Sequence, residues 1–422
     1  MPKSVFFIGI KGVGMTSLAL AMQESGWTVS GSDTDEVFIT DEVLNKRQIK
    51  ISALSDPIPP CDLIIHSAAY LPPTTNTKTQ TLAEALADFV STRRVIAVAG
   101  VGGKTTTSAM LSVLFHTAGR DVGYYVGTST IAGLSSSGSC GTDPYYVIEA
   151  DEYAISKSDK RPKFALLNPE IVITTNIVHD HPDIYPTEGD TLRVFSDLIS
   201  RIPQSGTWIY NDRDPLTLKI LSNLNPQCHL VPYNLNLSPL NLSVFGDQNQ
   251  LDAQAAVLAA TAAGLSPETA KQSIRAYQGA GRRQESHGEV SGRLLYDDYG
   301  HHPGEIEVTV SSFKANFPGR RVLLVFESHT YTRTESLLAD FAKALSVADQ
   351  TFIMPIFESA REKGQPHKVT PESFASLIPG ATALTWDNAA SVVWQASQPG
   401  DIILTMGAGF VYKLHEEFKK YL

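Results

Sequence analysis

The sequence predicts an α/β protein of three domains built on mainly parallel sheets. Three observations carry that expectation. Apolar, strand-like runs alternate with helical patterns along the chain, two glycine-rich turns each follow such a run and open a helix, and 422 residues exceed what one core usually serves. The units are expected at 1–94, 95–290 and 291–422.

The first unit opens with the strand SVFFIGI, the turn KGVG, the helical stretch MTSLALAMQESG and a second strand, TVSGSD; DLIIHS follows as a later strand. Its glycines, Gly9, Gly12 and Gly14, are spaced GxxGxG rather than GxGxxG, and Asp33 ends the second strand, where a ribose contact is often made. That spacing leaves NAD(P) and other nucleotide-like ligands open.

The second unit holds the most informative segment, VIAVAGVGGKTTT at 95–107. Residues 95–99 read as a buried strand, and Lys104 begins a helical pattern that Gly119 closes. Backbone N–H groups at a helix N-terminus bind phosphate oxygens, and Gly100, Gly102 and Gly103 allow close approach. Lys104 adds a point charge, and Thr105 or Thr106 can hold Mg²⁺ through its hydroxyl. The spacing GxxGKT is two residues shorter than the common loop, yet the strand, turn and helix context favours a phosphate site over an ordinary tight turn.

Strands YVIEA (146–150) and IVITT (171–175) and an alanine-rich helix near 251–264 complete this unit. EADEY sets Glu149, Asp151 and Glu152 at a strand's carboxyl end, where a carboxylate can take Mg²⁺. TTNIVHDHPD brings Asn176, His179, Asp180, His181 and Asp183 to the next strand end as a second metal or phosphate position.

In the third unit, strands at 321–326, 351–356 and 401–405 alternate with helical segments such as ESLLADFAKALS. YDDYGHHPGE carries Asp297, Asp298, His301 and His302 at a strand end. ESHTYTRT supplies His329, Tyr331 and Arg333, whose planar fork suits a carboxylate or phosphate.

The chain has 34 basic and 44 acidic residues, a net charge of −10, which argues against nucleic acid or an anionic membrane as the main partner. Cys61, Cys140 and Cys228 lie far apart without CxxC spacing, so neither a disulfide framework nor a zinc site is indicated, and a reducing cytoplasm fits. No targeting or membrane-spanning segment is expected.

In order, the motifs AGVGGKTTT, EADE, TNIVHDHPD, GAGRR, DDYGHHP and HTYTRT resemble those of the Mur ligase family over nearly the whole chain. The resemblance implies a Rossmann-like N-terminal domain for the UDP part of a substrate, a central ATPase domain and a Rossmann-like C-terminal domain. It also implies ATP- and Mg²⁺-dependent joining of L-alanine to the carboxylate of UDP-N-acetylmuramate, through an acyl phosphate, in cytoplasmic peptidoglycan synthesis.

By the same resemblance, Gly12 and Gly14 approach the diphosphate, Asp33 and Ser67 lie near the uridine nucleotide, and Lys104, Thr105 and Thr106 grip the ATP phosphates. Thr105, Glu149 and His181 are the metal positions, Asn249 contacts adenine, Arg283 the phosphates and Asp298 the ribose. His301, His329 and Arg333 surround the substrate carboxylate and the incoming amine.

EADEY followed by DKRPKF resembles the branch of the family that attaches a recycled tripeptide, which stands as the alternative. A non-ligating NAD(P)-binding protein would leave the phosphate loop, EADE and DHPD unexplained. The chain departs from the family pattern at Lys11, Gly102, Gln248, Asp252 and Phe410.

Overall fold

Three sheets organise the residues that the computed structural model describes, 3–179, 184–358, 362 and 366–421. The first has five parallel strands in the spatial order Lys50–Ala53, Thr28–Asp33, Ser4–Ile8, Leu63–His66, Thr79–Thr81. The second runs His229–Tyr233, Thr207–Asn211, Pro169–Thr174, Arg94–Ala99, Tyr145–Glu149, Gly123–Tyr125, Gly138–Ser139. The third runs Glu285–Val290, Arg293–Asp298, Ile402–Met406, Val322–Phe326, Gln350–Ile353, Thr382–Ala383.

Central strands such as Arg94–Ala99 and Val322–Phe326 read as continuous apolar runs because helices cover both faces of the sheet. Parallel pairing holds except at two edges: Gly138–Ser139 runs antiparallel to Gly123–Tyr125, and Glu285–Val290 antiparallel to Arg293–Asp298. The strand expected over 351–356 ends at Ile353, two residues before Pro355, which has no N–H for a ladder. ESLLADFAKALS is divided between helices Tyr331–Ser336 and Leu338–Leu345, with Leu337 leaving helical geometry at φ −114°, ψ 21°.

The chain forms three α/β domains in two compact units, one comprising 1–244 with 248–281 and the other 245–247 with 282–422. Arg282 and strand Glu285–Val290 thus lie with the third sheet, upstream of position 291.

Within the first unit, two sheets share one apolar core in which Phe7, Leu18 and Leu86 join Tyr146, Val172 and Trp208. Helix Val13–Glu24 lies on the second sheet's edge, where Ser17 Oγ donates to the Val126 carbonyl at 2.7 Å. A Cβ at Gly14 would strike the Tyr125 hydroxyl, and one at Gly138 would strike the Ser17 backbone. Among the described residues, no helix is long and apolar enough to cross a membrane.

Candidate active site

In the second sheet, strand Arg94–Ala99 lies between Pro169–Thr174 and Tyr145–Glu149, so the segments leaving three carboxyl ends meet around the phosphate loop. Gly100 has φ +134°, and a Cβ there would overlap the Thr175 hydroxyl. Gly103, at φ +84°, caps helix Lys104–Thr117, and its Cβ would come within 2.5 Å of Asp252 Oδ1. Both positions require glycine.

Gly102 lies outside the left-handed region. Its N–H, expected to face phosphate, donates to Asn176 Oδ1 at 2.9 Å, and the Val101 N–H donates to the same oxygen at 3.2 Å. Asn176 thereby sets the curvature of the loop.

Lys104 Nζ folds back over this turn, donating to the carbonyls of Gly100 at 2.6 Å and Val101 at 3.1 Å, and pairs with Glu152 at 2.9 Å. Burial works against its charge, but Glu152, Asp151 and Glu149 outweigh burial and hold the ammonium above the usual lysine range. It is a fixed cation beside the helix N-terminus.

Thr105 Oγ1 donates to Glu149 Oε1 at 2.8 Å, and the Gly127 N–H donates to Glu149 Oε2 at 2.7 Å. A hydroxyl and a carboxylate held together beside a phosphate loop form the hard-oxygen donor set that Mg²⁺ takes, with phosphates and waters completing the shell. His181, like Asp180 and Asp183, falls outside the described residues. His179 Nδ1 lies 3.1 Å from Thr191 Oγ1, and Asp151 is paired with Lys163 at 2.6 Å. Among the described residues, no three His, Cys, Asp or Glu form a metal cluster.

Thr106 is buried in the first turn of the same helix, while Asn249 and Asp252 are buried near the start of helix Asp247–Ala262. Asp252, flagged as a departure from the family pattern, is the residue packed against Gly103.

In the first sheet, Ser4–Ile8 is central, and the Gly9–Gly12 turn, Asp33 and Ser67 lie at the carboxyl ends of its strands. Gly12 caps helix Val13–Glu24; the Ser67 N–H donates to the Ile8 carbonyl, and its hydroxyl accepts the Ala69 N–H at 3.2 Å. Asp33 accepts the backbone N–H of Lys11 at 2.7 Å and of Thr34 at 2.8 Å.

Gly14 also makes room for Tyr125, because a helix laid close on a strand needs glycine as much as a ligand does. The Lys11 ammonium reaches the carbonyls of Thr34 and Glu36 and the Asp41 carboxylate, so it ties down the 34–41 segment.

The second unit gathers its candidates at the carboxyl ends of the third sheet. Asp298 accepts the N–H of Gly300 at 2.8 Å and of Gln284 at 2.9 Å, and the Arg283 guanidinium lies 5.1 Å from the Tyr299 ring. Glu305 takes the N–H of both His301 and His302, fixing the YGHHP turn. Burial first, then Arg333 and His329, hold His301 well below the usual histidine range, so its imidazole is neutral.

The rings of His301 and His329 stand 5.7 Å apart, and Arg333 lies on the short helix Tyr331–Ser336. Sequence reasoning missed Arg282, whose Nε pairs with the fully buried Asp297 at 2.7 Å, and Glu327 at the end of Val322–Phe326. The doubled arginine in GAGRR was the available signal for the first.

Burial pushes the Asp298 carboxyl up to about 6. A folded-state value above the unfolded one favours the neutral acid, so its stabilising contribution is full below about 4 and declines as pH rises through about 6. Relative to the parent, Asp298→Asn should gain stability over that window and no further above it. Denaturant midpoints of the two proteins across the window check this; a constant difference would refute it.

Together with the fold, the loop places the chain among α/β proteins that handle nucleotide phosphates. The chain belongs to the Mur ligase family: residues 4–97 match the family's "catalytic domain", 98–259 its "middle domain" and 282–409 its "glutamate ligase domain". It is 32% identical, over 98% of its length and 99% of the relative's, to a UDP-N-acetylmuramate–L-alanine ligase of Desulfitobacterium hafniense.

Two solved structures share the fold. A UDP-N-acetylmuramate-alanine ligase of Thermotoga maritima aligns with a TM-score of 0.78 at 20% identity, over 99% of this chain and 98% of that one. A murein peptide ligase of Psychrobacter arcticus aligns with a TM-score of 0.75 at 24% identity, with the same coverage.

Proposed function

We propose that the chain is an ATP- and Mg²⁺-dependent ligase joining L-alanine to the carboxylate of UDP-N-acetylmuramate, acting on peptidoglycan precursors in the cytoplasm. The observation that carries this reading is the Lys104, Thr105 and Glu149 arrangement in a chain that spans its alanine-ligase relatives end to end. We assign the uridine nucleotide to 1–94, ATP to 95–290 and the amine to 291–422.

A carboxylate is a poor electrophile, so it is first phosphorylated by ATP, and the amine then displaces phosphate from the acyl phosphate. Lys104, kept charged by its acidic neighbours, neutralises the transferring phosphoryl group. Thr105 and Glu149 would hold Mg²⁺, with His181 assigned as a third ligand, and Mg²⁺ there would supply screening of charge on the phosphate oxygens.

Gly100, Gly102 and Gly103 shape the loop, Thr106 extends its helix, and Asn249, Arg283 and Asp298 are assigned to the nucleotide. Gly12, Gly14, Asp33 and Ser67 are assigned to the uridine nucleotide. Arg333 clamps a carboxylate, while His301, neutral and desolvated, accepts a hydrogen bond from the amine. His329 orients that amine. Lys163 of DKRPKF is engaged with Asp151, which gives the segment shared with the tripeptide branch a structural role.

The test is Mg²⁺-dependent phosphate release from ATP with UDP-N-acetylmuramate and either L-alanine or the L-alanyl-γ-D-glutamyl-diaminopimelate tripeptide. Release driven by L-alanine supports the proposal; release with tripeptide alone transfers the chain to the other branch. His329→Ala should slow amide formation about a hundredfold with ATP affinity unchanged. Parental turnover in that variant would remove His329 from the mechanism.

A further inference from the structure

The turn 407–411 follows strand Ile402–Met406, the neighbour of both Arg293–Asp298 and Val322–Phe326. It is gripped from both sides. Arg282 donates to the Gly407 carbonyl at 2.5 Å and the Gly409 carbonyl at 3.0 Å. Asp297, which holds Arg282, also accepts the Thr405 hydroxyl at 2.6 Å.

From the other side, Glu327 accepts the Val411 N–H at 2.7 Å, and its carboxylate fills the space where a Gly409 Cβ would stand, 2.5 Å from both oxygens. Glu327 is 2% exposed. A buried carboxyl is costly unless its hydrogen bonds are made, and these bonds fix the turn.

The gripped turn carries Phe410. Its ring stands edge-on to Phe357, with centroids 5.6 Å apart, and Phe357 lies flat on His329 at 5.1 Å and 10°. The Phe357 backbone is pinned to its neighbours by the bonds Phe357 N–H to Ser328 O and Thr330 N–H to Phe357 O, both 2.9 Å. Its ring plane is set by what packs against it, and Phe410 is one of the aromatic rings that do.

We infer that Glu327 and Phe410 are positioning residues for His329: the carboxylate fixes the turn, and the Phe410 ring, through Phe357, fixes the plane of the imidazole. This rests on the assignment of His329 to the amine. Orientation sets where the ring nitrogens point, and a small misplacement of an orienting group is costly in rate.

The test compares the parent with Phe410→Ala, Phe410→Tyr and Glu327→Gln by steady-state kinetics for each of the three substrates. The NMR signal of the His329 imidazole, assigned with His329→Gln, is followed in parallel. Phe410→Ala should lower kcat/KM for L-alanine about tenfold while leaving KM for ATP and UDP-N-acetylmuramate within about twofold. Phe410→Tyr, which keeps the ring, should restore it.

Glu327→Gln sets an amide NH₂ against backbone N–H groups and should move the His329 signal as Phe410→Ala does. An unmoved signal in both variants, equal losses for all three substrates, or failure of tyrosine to restore activity would overturn the inference. Because the imidazole signal needs no turnover, it decides the point even if the parent ligates nothing, an outcome that would instead reject the proposed function.

Discussion

Lys104→Met should slow phosphate release from ATP about a thousandfold, the largest loss expected of any single substitution in this chain. The ammonium is the cation held over the phosphate loop, tied to two loop carbonyls and paired with Glu152. Its removal also strands a buried carboxylate, which should cost about 3 kcal/mol of stability. The two effects separate in the double variant Lys104→Met/Glu152→Gln, where the thermal midpoint should recover and turnover should not. A double variant with parental turnover would show that Lys104 serves the fold alone.

Glu149→Ala should lower kcat about a hundredfold at saturating ATP and shift the Mg²⁺ midpoint of phosphate release upward. Glu149 joins the Thr105 hydroxyl to the Gly127 amide, so truncation removes a metal oxygen and frees the threonine rotamer at once. Glu149→Asp, one methylene shorter, should recover part of the rate when Mg²⁺ is raised. An unchanged Mg²⁺ midpoint in both variants would exclude Glu149 as a ligand.

What the sequence made legible is what is local along the chain. The phosphate loop could be read because strand, glycines, lysine and hydroxyls are contiguous. The place of Glu149 at a strand's carboxyl end could be read from the apolar run that precedes it. The strands expected at 95–99, 146–150 and 321–326 appear as Arg94–Ala99, Tyr145–Glu149 and Val322–Phe326.

The parts that escaped are made in space. Asn176 reaches the loop from a neighbouring strand, and nothing in its own segment marks it as an acceptor for two amides. His329, Phe357 and Phe410 come from three segments, so their stack has no periodicity to detect. The contact of Gly14 with Tyr125 escaped because a glycine pattern does not say which group approaches the backbone.

The seam where Gly14 meets Tyr125 and Gly138 meets Ser17 also bears on heredity. In each contact an added methyl group would force something to shift, and each joins helix Val13–Glu24 to strand Gly123–Tyr125 or Gly138–Ser139 of the second sheet across a common core. The first 94 residues are therefore not a cassette that recombination could exchange cleanly between relatives. A graft would inherit a helix surface fitted to another protein's edge strands, so the first two domains are expected to descend, melt and be engineered as a single block.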